Sequence, residues 1–181
     1  MTPRSVVLIE GPVVEPVSLL EAKSQLRMTA DQTDDDGHIL GLIATGRRLI
    51  ERRMGVALVA QQYRATWDHA HACVQMPNPP LLDGEDYPIV VTADDEDVDA
   101  DDYTIDTDSM PGLIEFSRIP SGRLKITYWA GVLPSVRVAP QIRSALLILV
   151  DHLYANRGAE QSDMPIAIDV LLASESHSGA Y

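Results

Sequence analysis

A single cysteine, Cys73, stands among 181 residues, which excludes an internal disulfide framework and fits a reducing cytoplasm. Aromatic residues make up only 5%, so the core has to be built from Leu, Ile, Val, Ala and Met. Cations are scarce too: 14 Lys and Arg face 27 Asp and Glu, a formal net charge of −13. Affinity for nucleic acid rests on neutralising phosphates, so this balance excludes a module that grips DNA, though not one that sits beside it. No apolar run approaches the ~20 residues that cross a bilayer. The opening stretch MTPRSVVLIEGPVVEPVS is broken by Gly11, Pro12 and Pro16 and has no cleavage-like site. A soluble protein made in the cytoplasm, without a signal peptide, is expected. Also missing are the G-x-x-x-x-G-K-[ST] phosphate loop, G-x-G-x-x-G, the G-x-S-x-G elbow and H-E-x-x-H. With those signatures absent, no catalytic, cofactor or metal residue is assigned.

What is present is a chain 45% hydrophobic, enough for one domain with terminal extensions. Residues 1–16 read as an extended N-terminal arm with a short strand at Val6–Ile9. A domain over 17–160 opens on a helix at 18–28, announced by a Ser18-x-x-Glu21 capping box. The next helix, 33–54, is marked at both ends. Thr33 offers an N-cap oxygen, and Asp34, Asp35 and Asp36 put negative charge at the positive end of the dipole. Ile39, Leu42, Ile43, Gly46, Leu49, Ile50 and Met54 recur at helical spacing. Arg47, Arg48, Arg52 and Arg53 load the other end, and Gly55 fits a left-handed stop.

A third helix, 140–156, begins with Pro140 in its favoured first turn and stops at Gly158. Ile142, Ala145, Leu146, Leu149 and Leu153 form its core stripe; Leu147, Ile148 and Val150 fall outside it. A helix apolar around much of its girth is buried on more than one side. In a domain this small a neighbouring subunit is expected to supply the second side. The expected subunit interface is therefore Leu147, Ile148 and Val150, with the cations Arg47, Arg48 and Arg52. Residues 161–181 form a C-terminal segment, with a short helix at Ile166–Ala173 beyond the SDMP breaker and the polar tail SESHSGAY.

Between the helices, over 57–130, the period switches to two. Val59, Tyr63, Ala65 and Trp67 alternate with polar residues as a half-buried strand does. A short strand at Ala72–Met76 ends at MPNPPL, where Pro77, Pro79 and Pro80 predict an extended connection. Ile89–Ala93 and Tyr103–Asp106 read as two strands joined by an acidic turn. Leu113–Ser117 and Arg123–Trp129 read as a hairpin across Pro120 and Gly122. Together these patterns predict an α+β fold: three main helices packed with a small, mostly antiparallel β-sheet.

Several clusters invite a chemical reading and fail it. Asp95, Asp97, Asp99, Asp101 and Asp106 approximate an EF-hand calcium spacing. The sixth position, which needs Gly, is Ala100, the twelfth is not Glu, and the flanks are strands, so a solvated turn is the reading. His69, His71 and Cys73 alternate on one strand face, but a structural zinc needs a fourth ligand and none is apparent. The four arginines of helix 33–54 are accounted for by the helix dipole and ion pairs as well as by phosphate. Trp67 and Trp129 read as core residues.

The ordered set VSLLEAKSQLRM (17–28), DDDGHILGLIATGRRLIERRMGVALVAQQYRATWD (34–68), MPNPPL (76–81), LKITYWAG (124–131) and APQIRSALLILVDHLYANRG (139–158) resembles one family. It is that of the small head–tail connector, or adaptor, proteins of long-tailed bacteriophages and phage-like gene transfer agents. The resemblance spans residues 17–158 and implies a virion neck protein, made in a host cytoplasm, that forms a homo-oligomeric ring, a dodecamer, under the portal protein. Such a ring extends the channel for double-stranded DNA, which passes without specific binding, and docks a tail-side stopper or tail terminator protein. The resemblance implies no catalytic residue and no cofactor. It also favours docking of the C-terminal segment on the portal, with Ile168, Leu171, Leu172 and Tyr181 as anchors. Two other readings are an acidic DNA mimic and a metal-dependent enzyme built on the Asp-rich turn. The first needs carboxylates spread along one surface, whereas here they crowd one turn with four arginines elsewhere.

Overall fold

Two compact units make up the computed structural model, which describes residues 2–156 and 165–176. The strand unit takes the chain up to Val13 and from Gly55 to Leu133; the helical unit takes Val14 to Met54 and the described residues from Pro134 onward. The fold is α+β.

In the strand unit β1 (Ser5–Glu10) and β2 (Gln61–Trp67) pair antiparallel. β2 in turn pairs along its full length with β9 (Leu124–Ala130), Gln61 opposite Ala130 and Trp67 opposite Leu124. β5 (Val90–Ala93) and β4 (Leu81–Leu82) lie along the other side of β9, and β6 (Glu96–Asp97) closes on β5. A second antiparallel sheet has the order β3 (Cys73–Gln75), β8 (Leu113–Phe116), β7 (Tyr103–Asp106). One apolar cluster collects the inward residues of both sheets, among them Trp67, Val74, Met76, Ile114, Phe116, Ile126 and Tyr128. The alternation in LKITYWA explains it: Leu124, Ile126, Tyr128 and Ala130 point in, Lys125, Thr127 and Trp129 point away. Trp129 is thus not a core residue. It is half-buried on the opposite face, edge-on to Tyr87 at 5.6 Å.

Pairing differs from the sequence expectation in two places. β8 and β9 are not a hairpin, and β5 and β7 are not partners; each pair is split between the two sheets. Length explains the choice, because β9 finds a seven-residue partner in β2 while the four-residue β8 finds β7 and β3. Strand β3 is also shorter than expected, so His69 and His71 precede it outside any strand and only Cys73 lies on it. The MPNPPL segment is a tight turn rather than an extended link, with Asn78 at φ 55°. Its prolines lack N–H groups but keep their carbonyls: Pro79 accepts from the Ala57 N–H and Pro80 from the Gly131 N–H, both at 2.9 Å. Gly131 has φ 132°, and a Cβ there would lie 2.2 Å from the Val59 carbonyl.

The helical unit contains α1 (Leu19–Gln25), α2 (Asp36–Met54), α3 (Pro140–Ala155) and α4 (Ile166–Ser176). The capping box opens α1: Ser18 Oγ accepts the Glu21 N–H at 3.2 Å and Glu21 accepts the Ser18 N–H at 2.8 Å. α2 begins at Asp36 rather than Thr33 and ends before Gly55 at φ 73°. Gly46 lets it approach α3, since a Cβ there would meet Leu146 Cδ1 at 2.8 Å. The expected stop at Gly158 lies outside the described residues. The N-terminal arm is less free than expected: residues 5–10 are a sheet strand, and Glu15 and Pro16 are held by Arg47 and Arg143 of the helical unit.

Candidate functional site

The expected interface residues do not share one surface. In α3, Leu147 and Ile148 are half-buried, whereas Val150 is fully buried within its own subunit. The reason is that α1, α2 and α4 all pack on α3, so one subunit supplies more than one covered side. Arg47 is likewise internal at 2% exposure. Its Nε donates to Glu15 at 2.8 Å and a terminal nitrogen to Glu51 at 2.6 Å. Arg48 and Arg52, one helical turn apart, are exposed, and Arg53 reaches Asp169 of α4 at 3.1 Å. The four arginines therefore do three different things, and the surface left for a partner is the Arg48–Arg52 pair.

α4 is turned partly inward. Ile168 and Leu172, expected as docking anchors, are buried in the helical unit and hold α4 in place; Leu171 is half-buried. Among the described residues of α4 the large exposed apolar side chains are Ile166 at 81% and Val170 at 65%, one turn apart. Tyr181 lies outside the described residues. Sequence reasoning passed over Ile166 and Val170 because all the apolar residues of IAIDVLLA look alike until one face is covered.

The acidic stretch is a built turn, not a loose one. Asp94 and Asp95, at φ 49° and 68°, form the two-residue bend between Ala93 and Glu96. Asp residues tolerate that left-handed conformation, which suits a tight hairpin. The Asp94 N–H donates to the Arg123 carbonyl at 3.0 Å, and its carboxylate accepts the Arg123 N–H at 2.8 Å. Asp95 pairs with Lys125, whose ammonium keeps the Asp95 carboxyl below the ordinary range. Asp99 accepts the Asp101 N–H at 3.1 Å and opens a single 3₁₀ turn, Ala100–Asp102. These carboxylates face separate partners, and among the described residues no three His, Cys, Asp or Glu side chains converge as metal ligands do. The EF-hand spacing is lost to this hairpin, and the His69–His71–Cys73 alternation is lost to the bend before β3.

No family model matches the sequence, and no curated protein matches it. Solved structures do. A chain from the neck of an empty GTA particle, computed with C6 symmetry, aligns with a TM-score of 0.74 at 20% identity, over 94% of both chains. A chain from the virion of a native gene transfer agent (GTA) particle aligns at 0.72 and 19% identity, over 93% of both. One from the neck of a native GTA particle computed with C12 symmetry aligns at 0.63 and 20%, again over 93% of both. At such identities the likeness is one of architecture: across nearly its whole length this chain has the fold of a chain that stands in gene-transfer-agent neck structures.

Proposed function

We propose that this chain is a structural head–tail connector, or adaptor, of a virion neck. Copies of it close into a homo-oligomeric ring between the portal protein and the tail. The observation that carries this reading is the fold likeness to a GTA neck chain over 94% of both chains. The C6 and C12 symmetry of those necks supports a closed ring, a dodecamer by the second. Head-to-tail rings use two unlike surfaces of each subunit. Leu147 and Ile148 of α3 and Arg48 and Arg52 of α2 are the residues proposed to meet a neighbouring copy. The exposed Ile166 and Val170 of α4 are proposed to meet the portal in place of the buried Ile168 and Leu172. A tail-side stopper or tail terminator docks on the opposite rim. Double-stranded DNA passes through the channel without specific binding, since −13 per copy repels phosphate. The role is non-enzymatic, and no helix among the described residues is long and apolar enough to cross a membrane.

Negative-stain electron microscopy of the purified protein, and of particles carrying a tagged copy, tests this. Rings with a central channel and a tag at the neck are expected. A protein that stays monomeric at every concentration and is missing from the neck overturns the reading. In the same assay Ile148→Glu should weaken ring formation more than it lowers the melting midpoint; equal loss of both assigns Ile148 to the subunit's own interior.

A further inference from the structure

In β1 the sequence and the surroundings disagree. Ser5–Glu10 carries four consecutive large apolar residues, Val6, Val7, Leu8 and Ile9. Apolar side chains on both faces are the pattern of a strand covered on both sides. Yet each of the four is at least 38% exposed, Val7 at 53%. Among the described residues β1 pairs only with β2, so its far edge has no strand beside it. Natural edges of this kind are blunted by lysine, inward charge or proline. None of these stands within Val6–Ile9. Arg4 before it is taken by Asp68 at 2.8 Å, and Glu10 follows a shift of register after Leu8.

The C6 and C12 symmetry of the similar neck structures makes a second copy of this chain the natural occupant, and the charge pattern permits it. Most contacts between two copies of a chain with net charge −13 set carboxylate against carboxylate, which opposes association. Val6–Ile9 is an exposed strand without a charge, where a second acidic copy can lie unopposed. The opposite end of the same sheet closes on Glu96 and Asp97 of β6. The two ends of the sheet are therefore unlike, as a head-to-tail contact requires.

We propose that in the ring the open edge of β1 is covered by the neighbouring copy of this chain, which hydrogen-bonds along Ser5–Glu10 and buries Val6–Ile9. This inference rests on the ring reading and adds the surface by which one copy holds the next. The test uses the full-length protein with Val7→Lys, and Leu20→Lys on the exposed face of α1 as a matched control. Sedimentation velocity over a concentration series is read beside a thermal melt. Val7→Lys should raise the concentration needed for rings roughly tenfold or more, because it sets a lysine in an apolar contact, with the melting midpoint unchanged. Leu20→Lys should assemble as the parent does. Rings of Val7→Lys at the parent's concentration overturn the inference and leave the ring reading standing. A parent chain that forms no ring, in solution or in the particle, removes the ring reading and this inference with it. A photo-crosslinking residue at position 7 serves if the lysine variant misfolds. Crosslinks to a second copy support the proposal, and crosslinks only to a different protein overturn it.

Discussion

The strand unit buries apolar and phenolic side chains, from Ala65 and Val74 to Trp67 and Tyr128, with one uncharged amide, Gln61, whereas the helical unit buries the charged Lys23, Arg47 and Glu51. Backbone pairing explains part of this difference. Paired strands satisfy each other's backbone polar groups, and a strand's alternation sends Lys125 or Arg64 outward without effort. Of the two buried phenols there, Tyr63 and Tyr128, the second donates to the Pro77 carbonyl at 2.9 Å, and burial pushes its pKa up. The helical unit must also hold non-helical chain. Arg47 ties Glu15, in the segment that enters the unit, to α2, and Lys23 of α1 meets Asp36 at 2.5 Å and the Ala30 carbonyl at 3.2 Å. Buried ion pairs add little net stability, but losing one partner is expensive. The strand unit is thus held by volume and the helical unit also by charge geometry, and the two should fail differently.

The largest expected effect is Arg47→Met. It leaves Glu51 buried without its cation and should destabilise the protein by about 3–5 kcal/mol in a urea melt. Adding Glu51→Leu should recover most of the loss, because an apolar pair replaces an ionic one. A harmless single variant would erase the contrast between the units. Next comes Gly131→Ala in the strand unit, where a positive φ and contact with the Val59 backbone should cost about 2–4 kcal/mol. No second substitution should rescue that one, since the obstacle is main chain.

Helix content was legible in the residues because each helix carries its own signals. The capping box of α1 and the glycine stop of α2 are local and appear where expected. Arg47 was legible in principle: it and Glu51 stand four apart inside the stripe that runs through Ile43, Ile50 and Met54. Arg48, Arg52 and Arg53 beside it hide that periodicity and make Arg47 look like helix-end charge. Strand pairing was not legible. Pro120 and Gly122 do break the strands, Gly122 at φ 94°, but a break does not choose partners: β8 pairs with β7 just before it and with β3, and β9 pairs with β2 far back in the chain. The burial of Val150 was not legible either, because a sequence cannot state how many neighbours one helix will have. Only one subunit's chain was needed to cover it.

A smaller effect tests whether partly exposed charge matters to the helical unit. Glu21 has its pKa lowered, first by the Ser18 N–H, then by the Ser18 hydroxyl, with Arg143 adding to both against the opposing effect of burial. A carboxyl whose folded pKa lies below its unfolded value adds stability above the unfolded pKa and loses it as pH falls through the folded one. Glu21→Gln keeps an acceptor for the capping box and removes the charge. The variant should be less stable than the parent near neutral pH, with the gap closing on acidification. A gap that stays constant with pH would assign the whole effect to the hydrogen bonds.

The smallest effect is expected where carboxylates are most numerous. Seven of the nine residues from 94 to 102 are Asp or Glu, yet they do not share one job. Asp94 holds the Arg123 N–H and Asp95 holds Lys125, whereas Asp97 and Asp101 are exposed on the hairpin surface. Charges in solvent repel weakly and are screened further by salt. Replacing Asp97 and Asp101 together by Asn should therefore change stability by no more than about 0.5 kcal/mol. Asp94→Ala should cost more, because it removes the acceptor for the Arg123 N–H and leaves a positive φ to a residue that tolerates it less well than Asp. Calcium should leave the melting midpoint of the parent unchanged, since the carboxylates face separate partners. If the Asn pair loses as much stability as Asp94→Ala, or calcium raises the midpoint, the hairpin is a charge-organised element like the Arg47 network. The contrast between a unit held by volume and one held by charge would then fail.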